Sequence, residues 1–170
     1  MSADKRQIEI FFDYACPYCR KAHEHLVQLL PEFPEAEPIW RPCESHPRPE
    51  SHGLHSDLCI QAMFFAAEHG IDLWIFHNRA YSLMLDTDVN VEDIDALAES
   101  LSDLLDADGL RKALTSGKHL SVQQDANEYA FGQSEVWAVP SYRMDVRKLD
   151  SIKDIGVTKD QLRNFLEGGA

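Results

Sequence analysis

Long apolar runs are missing from this chain of 170 residues. None approaches the roughly 20 residues that a membrane-spanning helix needs. The opening residues, MSADKRQ, meet the first apolar stretch without the apolar core of an export signal. Cysteine is sparse, four in all, far from the density of a small secreted scaffold held by disulfides. Positive charge is also scarce: 16 Lys and Arg stand against 29 Asp and Glu, a net charge of −13 that repels a phosphate backbone. No repeat, low-complexity tract or clear linker interrupts the sequence. These absences lead to the expectation of a soluble, cytoplasmic protein of one domain over residues 1–170. Its length suits a core without staples, and neither nucleic acid nor membrane is expected among its partners.

What is present concentrates in FFDYACPYC, where Cys16 and Cys19 stand two residues apart at the end of an apolar stretch. In residues 8–12, Ile8, Ile10 and Phe12 fall on one side and Phe11 on the other, which predicts a central strand buried on both faces. From Pro17 the period changes. Ala22, Leu26, Leu29, Leu30 and Phe33 follow a helical stripe that stops near Pro31 or Pro34. Pro17 suits the first helical position, so Cys16 falls at the N-cap and Cys19 one turn inside.

A short second strand is expected over 37–42, then a loop over 43–53. Helical patterns follow at 56–69, about 72–85, 92–104, 108–116 and 118–133, the last with Leu120, Gln124, Asn127 and Phe131 along one side. Two hairpin-linked strands are expected within 136–150. A closing helix is marked by the capping-box pair Thr158 and Gln161 and by Gly168 at its end. A β-α-β unit and a β-β-α unit flanking a helical block make an α/β protein of thioredoxin-like fold, with an α-helical insertion of about 54–133 between the halves.

Three chemistries suit a spaced cysteine pair. Zinc would want four ligands, and no second Cys-x-x-Cys exists. A structural disulfide across two residues closes too short a loop to stabilise much. A redox dithiol suits the place between strand and helix. The helix N-terminus offers unpaired N–H groups and about half a positive charge, which favours the thiolate of Cys16. Arg20, one turn on, could add to this. Cys19, inside the first turn, is expected to be the less exposed thiol of higher pKa. It would resolve the mixed disulfide that Cys16 forms. In WAVPSY, Pro140 begins a predicted strand and is expected in cis, with Val139 presenting its backbone to an incoming chain.

With both motifs placed, the chain resembles the DsbA family of thioredoxin-fold oxidoreductases, closest to its cytoplasmic FrnE-like branch. The likeness covers FFDYACPYC, RPCESHP, HGIDLWIFHNRAY, DADGLRKAL and VPSY. It implies a dithiol–disulfide oxidoreductase or isomerase with Cys16 as nucleophile and Cys19 as resolving cysteine. It also implies that Pro17, Tyr18, Val139 and Pro140 contact the substrate and that the insertion caps the site. No cofactor or metal is implied. Pro-Tyr is the dipeptide of glutaredoxins, which makes glutathione a candidate redox partner beside protein or small-molecule disulfides and dithiols. Ala138 replaces the usual Gly before Val-Pro. Ile10 stands where thioredoxin and periplasmic relatives carry an acid, with Glu9 and Asp13 nearby. The rival reading is a non-enzymatic adaptor or redox sensor that holds a partner protein.

A second cluster, Cys43, His46, His52, His55 and Cys59, has the spacing C-x2-H-x5-H-x2-H-x3-C, which matches no regular zinc module. Metal binding or a second disulfide competes there with a polar loop and a buried helical cysteine. His23 and His25 on the first helix are expected to face solvent or pack partly, and not to bind metal.

Overall fold

The computed structural model describes residues 4–168. The first strand, β1, spans Arg6–Phe12, and a helix, α1, follows at once over Pro17–Leu29. A 3-10 turn at Leu30–Glu32 takes in Pro31, which ends α1. The second strand, β2 (Ala36–Pro42), runs parallel to β1. Five helices come next: α2 (Asp57–Glu68), α3 (Leu73–Asp86), α4 (Ile94–Ser100), α5 (Ala107–Ser116) and α6 (Leu120–Asn127). The hairpin of β3 (Ser141–Met144) and β4 (Arg147–Asp150) then completes a four-stranded sheet of order β2-β1-β3-β4. A last helix, α7 (Lys159–Glu167), closes the chain.

Strand β1 lies inside the sheet, with β2 on one side and antiparallel β3 on the other. Ile8, Ile10 and Phe12 enter the main core with Leu26 and Leu29 of α1, Tyr142 and Met144 of β3, and Leu162 and Phe165 of α7. Phe11 faces the other way, into a small cluster with Cys43, Ala130 and Val136. Both faces of β1 are therefore buried, as its unbroken apolar pattern requires. Helix α7 is set by the reciprocal bonds of Thr158 and Gln161 at its start and by Gly168, in the left-handed conformation at φ 92°, at its end.

Two helices are shorter than their sequence patterns. The pattern over 92–104 yields helix only for Ile94–Ser100, with turns beyond, and that over 118–133 breaks after Asn127 into a π-helical turn, Glu128–Gln133. The side of α6 that carries Leu120, Gln124 and Phe131 is not the buried one. Leu120 and Phe131 are exposed, whereas Gln123 is buried and Ala130 fully so. The cause is a polar network: Gln123 and Asn127 both donate side-chain hydrogen bonds to the buried carboxylate of Glu44. Satisfying that group outweighs the apolar pattern.

Candidate active site

The segment after β1 turns sharply so that Cys16 caps α1. Its backbone is extended (φ −99°, ψ 115°), its N–H donates to the Asp13 carbonyl at 3.1 Å, and Pro17 begins the helix. The Cys16 sulfur accepts the backbone N–H of Cys19 at 3.4 Å. The Cys19 sulfur, buried at 2% exposure, accepts the N–H of Asp13 at 3.5 Å. The two thiols are thus held differently by one helical turn. Cys16 is partly open to solvent and Cys19 is closed off.

Their acidities diverge accordingly. The Cys19 thiol donating to Cys16, helped by the N–H groups of Cys19 and Tyr18, brings Cys16 down from 9.0 to about 7, against the opposing effects of burial and the Asp13 charge. Burial pushes Cys19 well above the ordinary value, and bonding to Cys16 adds to the rise. Arg20 takes no part: its guanidinium is bound to Asp86 at 2.6 Å and lies beside Glu24. The helix turn supplies the stabilisation that a cation was expected to share.

The Val139–Pro140 bond is cis, and the Val139 carbonyl oxygen lies 3.9 Å from the Cys16 sulfur. Pro140 is buried, while Val139 is partly exposed. Pro17 and Tyr18 are exposed beside the cysteine, and Tyr18 lies over Gly156, where a Cβ would come within 3.1 Å of its ring. Ile152 and Ile155, on the Gly156 loop, and Trp137, two residues before Val139, are exposed apolar side chains. The geometry therefore gathers Cys16, Cys19, Tyr18, Val139 and Pro140 at one place.

The second cysteine–histidine cluster is dispersed. Cys43 sits under β1 with Phe11, and Cys59 lies in the main core on α2. His46 bonds Glu50 through Nδ1 at 3.1 Å, and His55 Nδ1 bonds the His46 carbonyl at 2.8 Å. Among the described residues no group of three or more His, Cys, Asp or Glu side chains converges as a metal site. His23, expected to face solvent or pack partly, is buried, its ring against Trp74, His77 and Tyr81.

Sequence reasoning missed two polar groups, Tyr14 and His77, and named Asp13 only as a nearby acid. Asp13 is buried, its Oδ1 accepting the Ala15 N–H at 3.0 Å and its Oδ2 the Ser45 N–H at 2.7 Å, so it ties the loop after β2 to the active-site turn. Tyr14 and His77 are both buried, the tyrosine hydroxyl lying 2.7 Å from His77 Nδ1. The spacing of His77, Ala80, Tyr81 and Met84 carried the signal for His77, since it places the histidine on the buried stripe of α3.

This arrangement, a helix capped by one thiol with a second buried a turn later, sits on a fold shared with known proteins. BdbD of Bacillus subtilis superposes with a TM-score of 0.76 at 14% identity, covering 99% of this chain and 89% of that one. MdbA of Actinomyces oris, a thiol-disulfide oxidoreductase, gives 0.67 at 17% identity over 98% and 82%. DsbA of Chlamydia trachomatis gives 0.70 at 13% over 99% and 88%. The fold is thus the thioredoxin fold of DsbA-type proteins, with α2–α6 inserted between β2 and β3. In sequence, the uncharacterized protein YwbO of Bacillus subtilis is 23% identical, the alignment covering 79% of this chain and 84% of that protein. No family model matches the chain.

Proposed function

We propose that the chain is a dithiol–disulfide oxidoreductase in which Cys16 attacks and Cys19 resolves. The observation that carries the reading is the asymmetry of the two thiols on one helical turn, one partly open and brought to about 7, the other buried and pushed up. Such a pair matches the two steps of exchange, in which a thiolate opens a substrate disulfide and a second thiol releases the mixed product. The substrates are protein or small-molecule disulfides and dithiols, docked beside Val139 and on the apolar surface of Tyr18, Trp137 and Ile155. Glutathione is a candidate partner through the Pro-Tyr dipeptide. The oxidoreductases among the fold neighbours support the reading, and the quoted motifs favour the FrnE-like branch. A reducing compartment, the cytoplasm, suits a chain whose Cys43 and Cys59 are buried and unpaired. The net charge of −13 speaks against nucleic acid as a partner.

Trapping tests this. With Cys19→Ser the mixed disulfide has no intramolecular escape, so cells expressing the variant should accumulate covalent complexes that dithiothreitol dissolves. Cys16→Ser should abolish them. Partner binding that survives loss of both cysteines, with no trapped species, would instead establish an adaptor.

A further inference from the structure

Cys19 has to attack the mixed disulfide from a place closed to solvent. The residue is 2% exposed, so water cannot carry the negative charge that gathers on its sulfur. A backbone group points at that sulfur instead: the N–H of Asp13 donates to Cys19 Sγ at 3.5 Å. While Cys16 is free, burial raises the Cys19 thiol most, and bonding to Cys16 and the charges of Cys16 and Asp13 add to the rise. The Asp13 N–H lowers it. In the mixed disulfide Cys16 is bonded to the substrate and uncharged. Its share of the rise lapses, and the Asp13 N–H remains.

Residue 13 is held at every polar atom it has. Strand β1 ends at Phe12, so the Asp13 N–H lies outside the sheet ladder and serves the sulfur. Its carbonyl oxygen accepts the Cys16 N–H at 3.1 Å. Oδ1 accepts the Ala15 N–H at 3.0 Å, which closes a turn within the segment. Oδ2 accepts the Ser45 N–H at 2.7 Å, from the loop after β2. Ser45 follows Glu44, which Gln123 and Asn127 of α6 hold in turn.

An aspartate is electrostatically a poor choice for a mere turn here. Its charge raises Cys16 and Cys19 on the α1 turn, Cys43 and Glu44 after β2, and Cys59 on α2. Asn or Ser could close the turn to Ala15 with one oxygen and no charge. Neither offers a second oxygen for the Ser45 N–H, and Asn would set its own N–H against that donor. Only a carboxylate ties both segments to the residue whose amide faces Cys19.

We propose that the Asp13 N–H is a catalytic group of resolution, steadying the charge on the Cys19 sulfur as it attacks, and that the Asp13 carboxylate positions it. The inference rests on the oxidoreductase reading above. An N–H fixed in advance toward developing charge needs no reorganisation at the moment of reaction.

The step balances. The Cys19 sulfur gives up its proton and bonds to the Cys16 sulfur. The bond from Cys16 to the substrate sulfur breaks, and the substrate leaves with the electron pair and takes up the proton. The cysteine pair is oxidised by two electrons and the substrate is reduced to a thiol.

The test removes one N–H. A synthetic segment 1–15 can be joined to residues 16–170 at Cys16 by native chemical ligation, so the full chain can carry an ester in place of the Phe12–Asp13 amide. The ester deletes the donor and keeps the side chain. Rapid-quench kinetics with a single-disulfide peptide separate formation of the mixed disulfide from its release. Against a ligated all-amide chain, the ester should leave formation unchanged. It should slow release at pH 7 about tenfold, the low end for a hydrogen bond to a charged group.

A double-mutant cycle reads the part of the carboxylate. In a chain that also carries Asp13→Asn, the ester should slow release by less than about twofold, because the N–H is no longer aimed. The effect of the lost charge cancels in that comparison. Exchange of the Asp13 amide proton in the unaltered reduced protein, followed by NMR, needs no variant and should be slow. Release at the all-amide rate in the ester chain, or an Asp13 amide that exchanges freely, would overturn the catalytic N–H. An equal cost of the ester in both backgrounds would overturn its positioning by the carboxylate. A wild-type protein that forms no mixed disulfide would overturn the oxidoreductase reading instead, and the amide exchange would still report on the bond to Cys19.

Discussion

The Cys16 sulfur stands 3.9 Å from the carbonyl oxygen of Val139, a residue 123 positions further along the chain. Sheet pairing brings the two together: Phe11 of β1 opposes Ser141 of β3, so the turn after β1 meets the turn before β3. On the proposed function, a peptide that pairs with Val139 would thereby be delivered to Cys16.

That geometry predicts that backbone pairing contributes to recognition. Methylating the amide nitrogen next to the cysteine of a model peptide disulfide should lower its kcat/KM about fivefold, since one hydrogen bond is worth ~1 kcal/mol. Iodoacetamide reactivity of Cys16 should not change. Equal rates for methylated and plain peptides would remove Val139 from the platform.

Cys16 should be the thiol labelled by iodoacetamide, with a rate that rises through a midpoint near pH 7. Cys19, Cys43 and Cys59, all buried and all raised, should stay unlabelled there. Arg20→Ala should leave the midpoint in place, because that guanidinium is bound to Asp86. The same shift fixes a stability trend. A folded-state value below the unfolded one stabilises the reduced protein above the unfolded value and ceases to do so as pH falls. Relative to Cys16→Ser, the reduced protein should therefore gain stability between about pH 7 and 9.0. Denaturant melts of both proteins across that range would show a flat difference if the shift is absent.

The sequence announced the parts of the site that are local. A proline at the first helical position and a helical stripe behind it put Cys16 at the cap, and cap geometry depends on few neighbours. Alternation in 8–12 placed β1 inside the sheet for the same reason. Contacts between distant elements were not legible. Gln123 looks like a solvent-facing residue until Glu44, some 80 positions earlier, is brought against it. His23 reads as solvent-facing or partly packed until α3 covers it, and Arg20 looks free to assist Cys16 until Asp86 arrives.

Glu44 carries a second pH effect, of opposite sign. Its carboxyl is almost wholly buried, Oε1 has no partner among the described residues, and burial raises its pKa above 4.5. A raised acid stabilises the fold below its unfolded value and loses that contribution as pH rises through the folded one. Glu44→Gln keeps an oxygen for Gln123 and Asn127 while removing the buried charge. The variant should be the more stable protein at pH 7 by about 1 kcal/mol, the scale of one unsatisfied buried group, or roughly 2–4 °C in Tm. At pH 4 the two should converge. Melting curves at both values decide it, and a less stable variant at pH 7 would mean that the charge is held by something other than the two amides.

The reduction potential follows from the same thiolate that sets reactivity. Stabilising the nucleophilic thiolate stabilises the reduced pair, so a lower thiol pKa makes a stronger oxidant. Cys16 at about 7 matches the value typical of thioredoxin and lies about 3.5 units above that of DsbA, whose potential is about −120 mV. Each unit is ~1.4 kcal/mol, and for two electrons that energy is about 30 mV. Counted from DsbA the pair sits roughly 100 mV lower, at about −220 mV, and the match to thioredoxin gives about −270 mV, so the potential should fall between these two values. Tyr18 fits this placement, since it puts no charge between the cysteines. Equilibration with glutathione buffers of graded ratio, read by alkylation and mass, measures the value directly. A result near −120 mV would require a cation or further donor on Cys16 that the helix turn does not supply. A result well below −270 mV would mean that Cys16 is held protonated and that the cap bonds do not survive in solution.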